Sequence, residues 1–198
     1  MKKYVLICIL AFIASSCGVS RKIEVLEKCT YNIKSADDIF LAGKNMTELF
    51  KNRTFDLSSA PGIALAMLRK NIPLKANVKL SIYNPTSKGV VINQFDYIIL
   101  VKGQEIAAGT VDKRIDLVSG ATTIVPVQVN SNIYSFLSNG KTMEELLEFM
   151  SGARSGQAEK KSKVSIKIRP SFMLGKELIK YPTYITIDRE ISSKILYK

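Results

Sequence analysis

Leu74-Lys75-Ala76-Asn77-Val78-Lys79-Leu80-Ser81-Ile82-Tyr83-Asn84 decides how the chain is read. Leu74, Ala76, Val78, Leu80 and Ile82 fall on one side of an extended chain, and Lys75, Asn77, Lys79, Ser81 and Tyr83 on the other. Alternation with period two marks a strand whose one face is buried and whose other face meets solvent, the habit of antiparallel sheets. Downstream, Thr123, Val125, Val127 and Val129 repeat the pattern. Pro126 interrupts it and removes a ladder donor, so that strand belongs at an edge or carries a bulge. Phe95 to Val101 is apolar nearly throughout, which predicts a central strand covered on both sides.

Extending the pattern in both directions predicts strands over 24–34, 38–43, 75–84, 90–102, 104–110, 121–130, 162–170 and 182–190. Short alternating runs separated by turn residues are the mark of an all-β sandwich. Two helices interrupt it. The first runs from Ser59 to Lys70, with Pro61 in its first turn and an apolar stripe of Ile63, Ala64, Met67 and Leu68. The second opens on Thr142-Met143-Glu144-Glu145, a capping box, and turns Leu146, Leu147, Phe149 and Met150 inward before Gly152. A short helical segment at Ile133 to Leu137 precedes it, and Ser151 to Ser162 reads as a mobile surface loop. No internal period and no linker divide the chain, so residues 23–198 form one domain.

The N-terminus stands apart. Lys2-Lys3 followed by the apolar run Tyr4 to Ile13 has the charged and apolar regions of an export signal. Ten apolar residues span about half of the ~30 Å hydrocarbon core, too few to cross it as a helix. Ala14-Ser15-Ser16-Cys17-Gly18 resembles a bacterial lipobox, which implies cleavage after residue 16 and acylation, including palmitate, on Cys17. An ordinary secretory signal with a chance cysteine is the competing reading. Acylation would leave 182 residues at net charge +10, against 198 residues at +12 for the whole chain. Residues 17–22 are then a tether. For a lipoprotein of this kind, Gly18 in place of an inner-membrane-retaining aspartate, and the basic Ser20-Arg21-Lys22 in place of an acidic export tag, imply the cell envelope, at the periplasmic face of the outer membrane, as the expected location.

The three cysteines fit this reading. Cys8 leaves with the signal, Cys17 carries lipid, and Cys29 has no partner for an intrachain disulfide. Cys29 is then either a reactive thiol or a buried hydrophobe, and its strand-like setting favours burial. The chain has no histidine, so a Ser-His-Asp triad, a Cys-His dyad and a histidine-built zinc site are excluded within it. Asp37 and Asp38 are adjacent on an expected strand and point apart, which argues against a metal or acid/base pair. No glycine-rich phosphate loop occurs, and Gly109 and Gly120 read as turn glycines. Neither a metal nor another cofactor is expected.

Charge is uneven. Residues 51–89 hold seven basic against one acidic residue and 151–198 hold eleven against four, while 17–50 is balanced and 90–150 is acidic. Lys75 and Lys79 point outward from one expected strand, and Lys163, Lys167 and Arg169 from another. In one sheet they would form a basic face that attracts anionic lipid or envelope proteins, at ~1 kcal/mol per cation near a membrane. A solvated face that keeps the protein soluble is the alternative. Nucleic acid is not expected as a partner, since no motif or aromatic stacking platform accompanies the charge.

Asn84-Pro85-Thr86 follows the first strand, and proline there holds Asn84 extended and its amide free for the turn backbone. Then come Gly89, an apolar strand containing Asp96-Tyr97, the Lys102-Gly103 turn, Glu105-Ile106-Ala107-Ala108-Gly109, Ser119-Gly120-Ala121-Thr122-Thr123 and the strand Ile124 to Val129. That order resembles the WHy domain of late embryogenesis abundant (LEA) type 2 proteins, and especially bacterial lipoproteins of that family, over about residues 74–130. The resemblance implies a fibronectin- or immunoglobulin-like antiparallel β-sandwich of about seven to eight strands with two inserted helices. It also implies a stress or desiccation role through membranes or labile proteins, and no catalytic residues. Asn84, Pro85, Gly103 and Gly109 are its turn-forming motif residues, and Thr86 stands where a second asparagine is common.

The expectation is a lipid-anchored, non-enzymatic envelope protein that binds or stabilises membrane or protein partners. Two alternatives stay open. A periplasmic carrier of an apolar or lipid ligand needs a cavity, and a carboxylate-based hydrolase needs two inward acids ~5–9.5 Å apart.

Overall fold

The computed structural model describes residues 20–46, 61–140, 145, 148–149 and 158–193. Residues 20–28 form a helix, α1, followed by β1 (Thr30–Leu41), β2 (Lys44–Asn45), α2 (Pro61–Leu68) and β3 (Pro73–Tyr83). Then come β4 (Val90–Ile92), β5 (Gln94–Val101), β6 (Gln104–Val111), β7 (Ile115–Leu117), β8 (Thr122–Asn132) and α3 (Tyr134–Leu137). The last elements are β9 (Lys161–Leu174), β10 (Glu177–Lys180) and β11 (Ile185–Ser192). Residues 140, 145, 148 and 149 are also helical. The protein is mostly β, with antiparallel pairing throughout and short helices.

One sheet has the order β2-β1-β3-β8, the second β10-β9-β5-β6 with β11 also on β9, and β4 pairs with β7. The alternation of β3 is realised in full: Val78, Leu80 and Ile82 are buried beside Val125, Val127 and Val129 of β8. They share one core cluster with Phe95, Tyr97 and Ile99 of β5 and Ile166, Ile168 and Phe172 of β9. β8 is an edge strand, which is where Pro126 is tolerated. Arg189 of β11 donates to the carbonyls of Ile33 and Lys34 on β1, where the β1–β3 register shifts, and so links the two sheets along one side.

Several expectations are corrected. Residues 24–34 are not one strand: α1 occupies 20–28 and β1 starts at Thr30. Val25, Leu26 and Cys29 are buried together at helical spacing, and Glu24 pairs with Lys28 at 2.6 Å, the i,i+4 contact of neighbours on a helix surface. Residues 20–22, expected in the tether, are the first turn of that helix, and Lys22 lies over the Phe172 ring at 5.4 Å. The 90–102 run breaks at Asn93, whose side chain accepts from the Met173 amide at 3.0 Å. β5 is central in its sheet, yet only Phe95, Tyr97 and Ile99 are fully covered, because the other face carries Asp96 and is half-open. α2 buries Ile63 and Ala66 but leaves Ala64 exposed and Leu68 at 82% exposure. Lys161 and Ser162 belong to β9, with Ser162 buried, and not to a loop. α3 lies where a helical segment was expected. Thr142 to Glu144, and the cleavage region through Cys17, lie outside the described residues.

Candidate functional site

Two features stand out, at opposite ends of the strands. The first is the turn after β3. Asn84 is fully buried, and its Nδ2 donates to the carbonyls of Lys88 (2.8 Å) and Leu117 (3.1 Å). Its Oδ1 accepts from the Thr86 amide (3.0 Å) and hydroxyl (2.7 Å). Pro85 is exposed and holds the turn from outside. Of the other motif residues, Gly103 has φ +82 beside Lys102 at φ +50, the pair of left-handed residues that a tight hairpin between β5 and β6 requires. Gly109 is a correction: it lies within β6, opposite Tyr97, and not in a turn.

The second feature is a cavity of about 450 Å³ where β1, β5 and β11 end and β3, β6 and β9 begin. Leu41, Leu74, Ile106, Ile133, Phe149 and Ile191 give it apolar walls. Lys102 and Glu145 line it too, paired at 3.0 Å and both partly exposed, which puts their ion pair at the mouth. Strand ends are where a two-sheet core runs out of facing residues, so apolar side chains there enclose space instead of filling it. β1 runs from α1 to this cavity, roughly 35 Å at ~3.3 Å per residue. Sequence reasoning missed the cavity; the available signal is apolar residues at strand termini, such as Leu41 and Leu74, where turn residues are usual.

The expected basic face is also corrected. Lys75 and Lys79 lie on β3 in the first sheet, whereas Lys163, Lys167 and Arg169 lie on β9 in the second, so no single sheet joins them. Three of the five are matched by carboxylates: Lys79 by Asp37 (2.7 Å), Lys163 by Asp188 (2.7 Å) and Arg169 by Asp96 (3.0 Å). Asp37 is engaged with Lys79 while its neighbour Asp38 takes φ +52, and the two do not form a site. Among the described residues no group of three or more metal-ligating side chains is gathered. No described helix is long and apolar enough to cross a membrane. Cys29 is buried, and burial raises its thiol above the usual range.

Asp96 is the electrostatic centre of the second sheet's outer face. Burial alone would raise its carboxyl, but hydrogen bonds from Arg169, Lys180 and Thr110 outweigh that and hold it below the usual carboxylate range. A depressed folded-state value means that its contribution is present above the ordinary ~3.9 and is lost as pH falls through the folded value. Asp96→Asn is therefore expected to cost about 1 kcal/mol at neutral pH, with the gap to wild type narrowing below about pH 4. Urea unfolding across pH 2–7 checks this; a gap unchanged down to pH 2 would contradict it.

The structure thus defines a mostly β, antiparallel protein with a buried asparagine turn at one end and an apolar cavity at the other. The model of the late embryogenesis abundant protein family LEA_2 matches residues 79–182, and the chain belongs to that family. Membership points to a stress- or desiccation-related role. Similar solved structures include AT1g01470 from Arabidopsis thaliana, at 15% identity and TM-score 0.41, covering 82% of this chain and 76% of that one. A protein from Archaeoglobus fulgidus is similar at 16% identity and TM-score 0.37, covering 61% and 83%. At2g46140.1, described as a candidate LEA protein, is similar at 18% identity and TM-score 0.37, covering 96% and 83%. No curated protein matches the chain.

Proposed function

We propose that this LEA type 2 protein is a lipid-anchored, non-catalytic component of the cell envelope, at the periplasmic face of the outer membrane, that holds an apolar ligand in its end cavity. The cavity carries this reading. Its volume of about 450 Å³ lies within the ~300–1,000 Å³ of small-molecule sites, and apolar walls with an ion pair at the mouth suit an acyl chain whose polar end faces water. We read the two sheets as a fibronectin-like sandwich whose middle is filled, so the ligand sits at the end and not between the sheets. Anchoring rests on the lipobox ending at Cys17, three residues before α1. Holding lipid or stabilising envelope partners fits a role in stress or desiccation. The hydrolase reading finds little support, since among the described residues Glu145 is the single carboxylate lining the cavity and Lys102 engages it.

Displacement of a fluorescent fatty acid tests the reading. Ile106→Trp places a ring in the cavity and is expected to weaken binding at least tenfold, about 1.4 kcal/mol, while the far-UV spectrum stays that of the parent. Equal affinity in the parent and the Ile106→Trp variant would sink the cavity as the ligand site.

A further inference from the structure

α2 is composed of apolar and small residues only, Pro61-Gly62-Ile63-Ala64-Leu65-Ala66-Met67-Leu68. A helix apolar on all sides belongs in a core or in lipid. Ile63 and Ala66 pack on a second buried cluster, but Leu65 is 46% exposed and Leu68 82%. The next two residues are Arg69 and Lys70, and Lys44 and Lys75 are exposed on the strand ends joined beside the helix by the Ala42 amide on the Pro73 carbonyl. None of these four cations makes an ion pair among the described residues. No Asp or Glu occurs between Asp56 and Asp96.

From this we infer that α2 is a docking tip for an anionic lipid bilayer: Leu65 and Leu68 enter the acyl region while Arg69, Lys70 and their neighbours meet the headgroup phosphates. The charge selects this occupant over a second copy of the chain, because a second α2 would bring the same Arg69 and Lys70 and no acidic residue of its own to balance them. Position adds a consequence. Leu41, Ile133 and Leu137 belong both to the cluster under α2 and to the cavity wall, so a bilayer at α2 lies against the cavity. α1 is at the other end of β1. In the lipid-anchored protein, α2 is thus free to meet a bilayer other than the one that holds Cys17, and when it does the cavity lies against that second bilayer. Docking itself stands on α2 and its cations and does not rest on the cavity reading.

The chain has no tryptophan, so a single introduced one reports its own surroundings. Full chains carrying Leu68→Trp, or Val118→Trp as a control 60% exposed in the turn near the other end, are mixed with excess vesicles of phosphatidylglycerol and phosphatidylcholine or of phosphatidylcholine alone. On the anionic vesicles the emission of the Leu68→Trp chain is expected to shift to the blue and to be quenched by brominated acyl chains, and that of the Val118→Trp chain is not. Adding Arg69→Gln and Lys70→Gln to Leu68→Trp is expected to weaken its response roughly thirtyfold at low salt. An unchanged spectrum of the Leu68→Trp chain, equal quenching of the Val118→Trp control, or undiminished binding of the charge variant would each overturn the proposal. Fatty-acid displacement by the same chains, unaffected by those results, separates a failure of docking from a failure of the cavity.

Discussion

Asn84→Ala is expected to lower stability by about 4 kcal/mol. The main-chain bonds of residue 84, from its amide to Ala121 (3.1 Å) and from Gly120 to its carbonyl (2.8 Å), survive the substitution. What goes is the side chain that satisfies the carbonyls of Lys88 and Leu117 and the amide of Thr86. A buried polar group left without its partner costs ~1–3 kcal/mol, and two are left here, the Leu117 carbonyl and the Thr86 amide, because the carbonyl of Lys88 keeps the Thr86 hydroxyl at 2.9 Å. The turn also joins β3, β4, β7 and the start of β8, so its loss frees both the 85–89 segment and the small ladder above it. Asn84→Asp keeps an acceptor for Thr86 but aims a second oxygen at two carbonyls, and is expected to be at least as destabilising. Urea unfolding with an unchanged m-value checks both. A loss below 1 kcal/mol for Asn84→Ala would mean that water replaces the amide in this turn.

That asparagine was legible in sequence, because Asn-Pro after an alternating run is a local signal. So were β3, β8 and the edge position of Pro126, where period two and turn residues agree. α1 was not, because Ile23, Val25 and Leu26 fit a short strand as well as a helix, and only the joint burial of Val25, Leu26 and Cys29 decides between them. The basic residues failed for a different reason. Whether Lys75 and Lys167 share a face depends on strand order, which is set by pairing between segments far apart in the chain and not by either segment. The cavity is non-local in the same way: Ile39, Leu74, Ile106 and Ile191 come together only once four strands end at one level.

Gly109 carries the second large effect, and its role also depends on a partner strand. Pairing of β5 with β6 sets it opposite Tyr97, whose side chain crosses β6 at this point and donates from its hydroxyl to the Gln128 carbonyl on β8 at 3.1 Å. A Cβ on residue 109 would stand 2.8 Å from the Tyr97 oxygen and 2.9 Å from Cζ, closer than a Cβ comes to the side chain of another residue. The ring is buried and links the two sheets, so it cannot give way without losing the bond to Gln128. Gly109→Val is expected to cost about 3 kcal/mol, overpacking of ~1–3 together with a hydrogen bond of ~1, and Gly109→Ala about 2. The cost should vanish when the obstruction is removed. In a Tyr97→Leu background, which lacks every ring atom that the Cβ meets, Gly109→Ala is expected to be neutral or to stabilise by up to about 1 kcal/mol, since glycine within a strand is itself unfavourable. A double-mutant cycle by urea unfolding measures the difference. Equal costs in both backgrounds would place the constraint in the β6 backbone and not in the passage of the tyrosine ring.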